Sequence, residues 1–169
     1  DNGHQKTVIM NKAIAKSRYE YIIEIDGDII VQEHFVEDHL SMAQEGTYLY
    51  GSRVNIQKSH LEKLFEKKQI DFNYFSSGIK KRNRTLRIPF LADLEKRKLE
   101  LSKKLRGCNM SFWRSDFIAV NGYNEDLKGW GSDDSELIQR MVNNGVSGKR
   151  LKNKGIVYHI YHHQLDRSK

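Results

Sequence analysis

Tyr21-Ile22-Ile23-Glu24-Ile25-Asp26-Gly27-Asp28 is an apolar run that ends in two acids separated by a single glycine. Its β-branched and aromatic residues predict a buried strand over residues 21–25. Residues two apart on an extended backbone point to the same side, so Asp26 and Asp28 are predicted to direct their carboxylates at one point. Mg²⁺ and Mn²⁺ bind such oxygens together with phosphate oxygens of a substrate. The alternative is that Asp-Gly-Asp forms only a turn.

Helices and strands are predicted to alternate on both sides of this run. Strand patterns cover residues 47–52, 107–114 and 155–161, and helical spacing covers residues 3–16, 33–44, 61–65, 115–120 and the segment after residue 132. This alternation favours an α/β layered sheet. The length of 169 residues suits one compact domain, which we take as 1–169.

The cysteine and apolar content indicate where in the cell the protein is located. No run of 18 apolar residues occurs, so no membrane span is predicted. A single cysteine, Cys108, excludes an internal disulfide and fits a reducing compartment, so we expect a cytoplasmic location. Because the sequence opens at Asp1 in a polar segment, we interpret it as a piece of a longer chain.

Positive charge is concentrated in one segment. Residues 80–106 hold 11 Lys or Arg against 3 acids, whereas the whole chain has 29 and 22. A helix is predicted over about residues 93–104, and the segment is interpreted as a solvated helical face, a surface for anionic lipid or a phosphate-binding arm. No aromatic-interleaved nucleic-acid motif accompanies it, so we expect no nucleic-acid partner.

A Gly-rich loop leads into a second group of acids, Asp133-Asp134-Ser135-Glu136. Asp133 and Glu136 match a capping box, with Asp133 as N-cap. That arrangement leaves Asp134 beside Trp130, pointing into whatever cavity the loop borders. An acid beside an aromatic ring suits a sugar, whose apolar face stacks while its hydroxyls meet the carboxylate.

Histidines lie within and just beyond the final predicted strand. His159 and His162 have a metal-like spacing only on a helix, since on a strand residues three apart face opposite ways. We therefore expect at most one of them at a metal held by Asp26 and Asp28. His159 is the better placed, and His162 the less favoured.

In combination these motifs resemble those of family 2 glycosyltransferases. The resemblance covers nearly the whole chain outside a basic, partly helical insertion at about residues 57–104. Bacterial capsule and lipopolysaccharide enzymes look nearest, and the C-terminal region is similar to galactosyltransferases and chondroitin polymerases. The matching segments are Asp1-Asn2-Gly3 with Lys6, Asn11-Lys12-Ala13, Ile25-Asp26-Gly27-Asp28, Gly107-x-Asn109-Met110-Ser111-Phe112, Asn121-Gly122-Tyr123-Asn124-Glu125, Gly129-Trp130-Gly131-x-Asp133-Asp134 and Tyr158-His159. Lys6 and Lys12 are candidates for holding the leaving group.

The resemblance implies a GT-A fold, a nucleotide-binding α/β sandwich that here lacks its N-terminal strands. It also implies a hexosyltransferase that uses a UDP-sugar and Mn²⁺ or Mg²⁺, inverts the anomeric carbon and extends an oligosaccharide or lipid-linked glycan in cell-surface polysaccharide synthesis. Asp28, Asp26 and His159 would match the metal ligands, and Asp134 the catalytic base. Donor or acceptor contacts would fall to Asn11, Lys12, Gly107, Asn109, Trp130, Gly131 and Asp133.

Two functions from other classes stay open at the level of sequence. One is a non-catalytic, basic cytoplasmic adaptor whose Asp pair forms only a turn and whose residues 80–106 dock on a membrane or on nucleic acid. The other is a metal-dependent phosphoesterase that uses the same acids. The adaptor would need no metal, and the phosphoesterase would release phosphate from simple esters.

Overall fold

The computed structural model describes residues 5–127 and 131–163, which form a mixed α/β structure with two four-stranded sheets. The strands are β1 (Tyr21–Glu24), β2 (Ile29–Val31), β3 (Thr47–Tyr50), β4 (Arg53–Ile56), β5 (Ile79–Lys80), β6 (Met110–Trp113), β7 (Ser147–Arg150) and β8 (Val157–His159). The α-helices are α1 (Lys6–Ala15), α2 (Phe35–Leu40), α3 (Leu61–Glu66), α4 (Phe90–Asp93), α5 (Arg114–Ala119) and α6 (Asp133–Asn143). Short 3₁₀ helices cover Lys58–His60, Arg82–Thr85 and Gly107–Asn109.

Each sheet combines antiparallel and parallel pairs. The first has the order β1-β6-β3-β7, in which only the β3–β7 pair is parallel. The second has the order β2-β8-β4-β5, in which only the β4–β8 pair is parallel. The chain moves from the first sheet to the second three times, between β1 and β2, between β3 and β4 and between β7 and β8. All three connections are short, so they hold the two sheets side by side.

A hydrophobic core packs α1, α5 and α6 against the first sheet. The apolar residues of α6 recur at helical spacing and form one buried stripe; they are Leu137, Ile138, Met141 and Val142. The strands β3 and β6 supply large side chains to the same core, including Tyr48 and Phe112. A second core lies against the other sheet and includes Val54, Leu64 and Phe72.

A buried polar joint links the two sheets. The side-chain amide of Asn109 donates to the carbonyls of Ser52 (3.1 Å) and Gly155 (2.7 Å). The ring of His39 contacts both Asn109 Oδ1 (3.1 Å) and Ser111 Oγ (2.7 Å). Burial lowers the pKa of His39 to about 4. The joint is therefore made by neutral groups whose hydrogen bonds are satisfied internally.

The basic segment adopts a different structure from the one predicted. The helix predicted over about residues 93–104 is wrong, because α4 ends at Asp93. Beyond it the backbone of Lys98 exchanges two hydrogen bonds with Gly148, at the edge of β7 (2.9 and 2.8 Å). Pairing with this sheet edge supplies backbone partners that a helix would otherwise provide. This part of the insertion is therefore attached to the domain.

Several predicted boundaries also change. Asp133 does not cap α6: Ser132 is the N-cap residue, Asp133 begins the helix and Glu136 pairs with Arg140 at 2.6 Å. The short helix α5 begins at Arg114, one residue before the predicted start, and has Trp113 as its N-cap residue. The strands β2, β4, β5 and β7 had no sequence prediction. The strand β7, Ser-Gly-Lys-Arg, has no apolar alternation, and pairing with the fully buried β3 stabilises it.

The helices of the structure are all short. Within residues 5–127 and 131–163, no helix has the length and apolar character needed to cross a lipid bilayer. The longest, α6, has 11 residues, whereas a span takes about 20.

Replacing Asp38 with Ala tests a buried ion pair that ties the insertion to the domain. Asp38 is fully buried, accepts from Arg87 (2.7 Å) and also accepts from the backbone N–H of Gly155 (2.9 Å). Removing one partner of such a pair costs about 3 kcal/mol. We expect Asp38→Ala to lower the free energy of unfolding in urea by that amount. The exposed neighbour Glu37 is the control, since Glu37→Ala should cost under about 0.5 kcal/mol; equal losses would contradict the prediction.

Candidate active site

A large cavity of about 920 Å³ lies where the two sheets meet. The turn between β1 and β2 borders it, together with β4, the segment before β6, the start of α6 and the chain that follows β8. Two groups of charged side chains face this cavity. One is centred on Asp28 and the other on Lys6.

Asp28, His159 and His162 form the first group. Asp28 Oδ2 lies 3.3 Å from His159 Nε2 and 3.1 Å from His162 Nε2. One ligand atom from each residue lies within 4.8 Å of the others, which is close enough for one ion to contact all three. These three residues are called the Asp28 cluster below.

The Asp28 cluster fits a divalent cation. Asp28 Oδ1 and Asn55 Oδ1 are buried, and neither accepts a hydrogen bond from the described part of the chain. Both residues line the cavity. Buried oxygens without donors are costly unless a cation or water satisfies them. Burial, Arg53 and His162 lower the pKa of His159, although Asp28 raises it, and this favours the neutral imidazole that binds metals.

The histidines and Asp26 lie differently from their sequence prediction. The expectation that His159 and His162 face opposite ways is wrong, because β8 ends at His159 and the chain then leaves the strand and returns His162 to Asp28. Asp26 and Asp28 were expected to share a strand face. However, β1 ends at Glu24, so both lie beyond it, and Asp26 Oδ1 lies 3.6 Å from Lys6 Nζ.

Lys6 is the centre of the second group. Its ammonium lies within 4.0 Å of four carboxylates and donates a hydrogen bond to Asp134 Oδ1 at 3.0 Å. The other three distances are 3.6 Å to Asp26, 3.6 Å to Asp133 and 3.9 Å to Glu24. These five residues are called the Lys6 cluster below.

Burial shifts the protonation of the Lys6 cluster. Burial alone would lower the pKa of Lys6, but the carboxylates, Asp134 first, raise it above its ordinary value. Burial and the charge of Asp134 raise the pKa of Glu24 to about 8, while Lys6 and the hydroxyl of Tyr123, which donates to Glu24 (2.8 and 2.9 Å), lower it. Burial also raises the pKa of Asp134, and Lys6 opposes this. Lys6 therefore favours the ionised form of Asp134.

Gly107 and Gly131 line the cavity beside Asp134. A Cβ on Gly107 would lie 1.7 Å from Asp134 Oδ2, so any side chain there would displace that carboxylate. Gly131 has a φ of 114°, which favours glycine. The predicted stacking residue, Trp130, lies outside the described residues. Asp133 Oδ2 is buried and accepts no hydrogen bond from those residues.

Three residues predicted to contact donor or acceptor do not line the large cavity. Asn109 is fully buried in the joint between the sheets. Asn11 exchanges hydrogen bonds with the backbone of Tyr123 (2.9 and 2.8 Å) and lines a separate small cavity. Lys12 is exposed on α1. Their positions support structural roles for Asn109 and Asn11.

Glu24 and Arg53 were not predicted at the site, Tyr123 appeared only within a matching segment, and Lys6 was predicted only as a candidate for holding the leaving group. Lys6 and Asp134 are 128 residues apart, so no local spacing could indicate their contact. Glu24 offered a faint signal, since an acid inside an apolar strand needs a buried partner. Arg53 lines the cavity from β4, a strand that the sequence did not predict.

The fold is that of a GT-A glycosyltransferase. The solved structure "Crystal structure of GalNAc-T7 with UDP, GalNAc and Mn2+" matches with a TM-score of 0.61. The match covers 95% of this chain and 31% of that chain, at 14% sequence identity. The predicted α/β fold class is therefore confirmed.

Sequence comparisons indicate relatives among sugar transferases. A family model described as the N-terminal domain of galactosyltransferase matches residues 90–163. Chondroitin sulfate N-acetylgalactosaminyltransferase 1 of mouse and that of human are each 34% identical over 50 residues. The match covers 30% of this chain and 9% of each relative, so the chain corresponds to a small part of those proteins.

Replacing Lys6 with Met tests the Lys6 cluster. Four carboxylates would then face one another, and we expect the free energy of unfolding to fall by about 3 kcal/mol. The loss should grow as pH rises through about 8, where the carboxyl group of Glu24 ionises in the unaltered protein. Since the pKa values of Glu24 and Asp134 are already raised, the folded state loses stability as pH rises, and losing Lys6 raises both pKa values further.

Urea unfolding at several pH values measures this effect. The control is Lys12→Met, which removes an exposed ammonium from the same helix and should cost under about 0.5 kcal/mol at every pH. A loss in Lys6→Met that does not depend on pH would contradict the electrostatic account.

Proposed function

We propose that the protein is a metal-dependent glycosyltransferase that moves a hexosyl group from a UDP-sugar to a hydroxyl of a glycan acceptor, with inversion. The observation that carries the proposal is that the Asp28 cluster and Asp134 line the same cavity. The galactosyltransferase family model and the fold of a transferase solved with UDP, GalNAc and Mn²⁺ support it.

Asp28, His159 and His162 would hold the ion. Mg²⁺ prefers oxygen ligands, so two imidazoles favour Mn²⁺ over Mg²⁺. When bound, the metal supplies positive charge that stabilises the departing diphosphate. Arg53 lines the same cavity and would add a further positive charge near that group.

Asp134 would accept the proton of the attacking hydroxyl. A base works best when its pKa lies near the operating pH, and burial shifts the pKa of Asp134 upwards, in that direction. Lys6 opposes full protonation and holds Oδ1 at 3.0 Å. Gly107 gives Oδ2 its space. These contacts fix the position of Asp134 in the cavity, and burial and Lys6 together set its pKa.

The biological setting extends the proposal. We infer that the acceptor is an oligosaccharide or lipid-linked glycan of a cell-surface polysaccharide, as in bacterial capsule and lipopolysaccharide synthesis. A cytoplasmic location with peripheral contact to the inner face of the membrane accords with that acceptor. These statements rest on the motif resemblance and on the basic residues 80–106.

The first experiment tests the metal site by calorimetry of UDP binding with and without Mn²⁺. We expect Asp28→Asn to abolish the Mn²⁺-dependent part of the affinity, because it removes the carboxylate shared by both histidines. His162→Ala should weaken it by about tenfold or more, and His163→Ala, an exposed neighbour, should not. Unchanged affinity in Asp28→Asn would exclude this metal site. Mn²⁺-independent binding in the unaltered protein would favour the adaptor.

The variant Asp26→Asn distinguishes the role of Asp26 from that of Asp28. Asp26 lies against Lys6 and outside the Asp28 cluster, so this variant should keep most of the Mn²⁺-dependent affinity. A loss as complete as that of Asp28→Asn would show that Asp26 also ligates the ion, as the sequence predicted.

The second experiment tests the base. Asp134→Asn keeps the size of the side chain but removes the proton acceptor, so transfer should fall about 10²–10⁴-fold while UDP binding persists. The matched control is Asp126→Asn, an exposed carboxylate in the preceding loop, which should leave transfer unchanged. Normal turnover in Asp134→Asn would contradict the assignment. Phosphate release from simple esters would favour a phosphoesterase.

A further inference from the structure

A further cavity, of about 220 Å³, is lined by four cationic residues and by no acid. We call it the arginine recess. Arg84 comes from the basic insertion, Arg150 from β7, and Lys152 and Lys154 from the turn that leads to β8. The other lining residues are Ser52, Asn83, Asn153 and Ile156.

The cations of the arginine recess are poorly neutralised. Lys154 is only 8% exposed, and its ammonium donates to Ser41 Oγ (3.1 Å). In the part of the chain that the structure describes, no carboxylate lies within 4.0 Å of the charged nitrogens of Lys154, Arg84 or Arg150. Lys152 has Glu95, at 3.9 Å. Charged groups that are buried without a counter-ion are costly, so an anion in the recess would be stabilising.

Further arginines add to the positive potential. Burial lowers the pKa of Arg84, and repulsion from Arg150, Arg106 and Arg53 lowers it further. Arg53 and Arg106 line the large cavity, whereas Arg84 and Arg150 line the recess. Positive charge therefore runs from one cavity to the other.

The segment Ser52–Arg53 forms part of the wall of both cavities. Ser52 lines the arginine recess, and the next residue, Arg53, lines the large cavity. Arg84 donates to the carbonyl of Arg53 (3.0 Å), and Arg150 donates to Ser52 Oγ (3.2 Å). The recess is therefore a neighbour of the large cavity, on the other side of this segment.

We propose that the arginine recess binds the carboxylate or sulfate of an acidic sugar residue. Guanidinium groups match the geometry of such oxyanions. At about 30 Å³ for each water, 220 Å³ has room for one anionic group and part of a ring, and Asn83 and Asn153 offer polar groups for hydroxyls. A membrane surface or a nucleic-acid duplex would instead need an extended array of cations. That the acidic sugar belongs to the acceptor rests on the proposed function.

The test is calorimetry on the full chain in EDTA, without donor. The probe is an oligosaccharide that carries one uronic acid, and its methyl ester removes the charge but keeps the ring. We expect the ester to bind at least about tenfold more weakly, since a hydrogen bond to a charged group contributes about 1.5–3 kcal/mol. Arg150→Gln should weaken binding of the acid by a similar factor. The control is Arg82→Gln. Arg82 lies in the same 3₁₀ segment as Arg84, but its guanidinium donates to the Tyr74 carbonyl, so this variant should bind the probe normally.

A folding defect is checked with two further variants. Arg150→Lys keeps the charge and should retain most of the binding, and Lys152→Gln, at a 43% exposed side chain, should lose part of it without unfolding. Equal binding of acid and ester, or equal losses in Arg82→Gln and Arg150→Gln, would overturn the proposal. So would inorganic sulfate, anionic vesicles or duplex DNA that bind as tightly, with the same dependence on Arg150. Because metal and donor are absent, failure of this test and failure of glycosyl transfer are separate results.

Discussion

Residues 25–28 carry the chain from the first sheet into the second, and the arrangement of the site depends on this short crossing. It places Asp26 at 3.6 Å from Lys6 and Asp28 at 3.1 and 3.3 Å from two histidines. Two acids that are separated by a single glycine therefore belong to two different charge clusters. Both clusters face the cavity that forms where the sheets meet.

The Lys6 cluster holds four acids close together, and the ammonium of Lys6 offsets the electrostatic repulsion between them. Asp26, Asp133, Asp134 and Glu24 all lie within 4.0 Å of Lys6 Nζ. The cluster also ties α1 to the start of α6 and to β1, so its charge balance and the packing of these elements depend on each other. Without the ammonium of Lys6, the repulsion between these buried carboxylates would destabilise the folded protein.

The insertion that appears irregular in the sequence is attached to the domain at several points. Asp38 pairs with Arg87, Lys98 pairs with the edge of β7 and Arg84 holds the Arg53 carbonyl. Composition revealed the excess of positive charge but could not place it, because the charge lies partly in a recess whose remaining wall comes from β7 and from the turn before β8. The proposed binding of an acidic sugar accordingly depends on contacts between distant segments.

Local sequence determined the strands over residues 21–24, 47–50, 110–113 and 157–159, because β-branched and aromatic residues favour extended backbone. It also determined the helix α6 from its apolar stripe, and through these elements the α/β class. Only the tertiary structure decided that the polar segment Ser147–Arg150 is a strand, that His162 returns to Asp28, and that Lys6 meets Asp134 across 128 residues. The physical reason is that periodicity reports how a segment faces its own core, whereas sheet-edge pairing and ion pairing depend on which distant segment lies alongside.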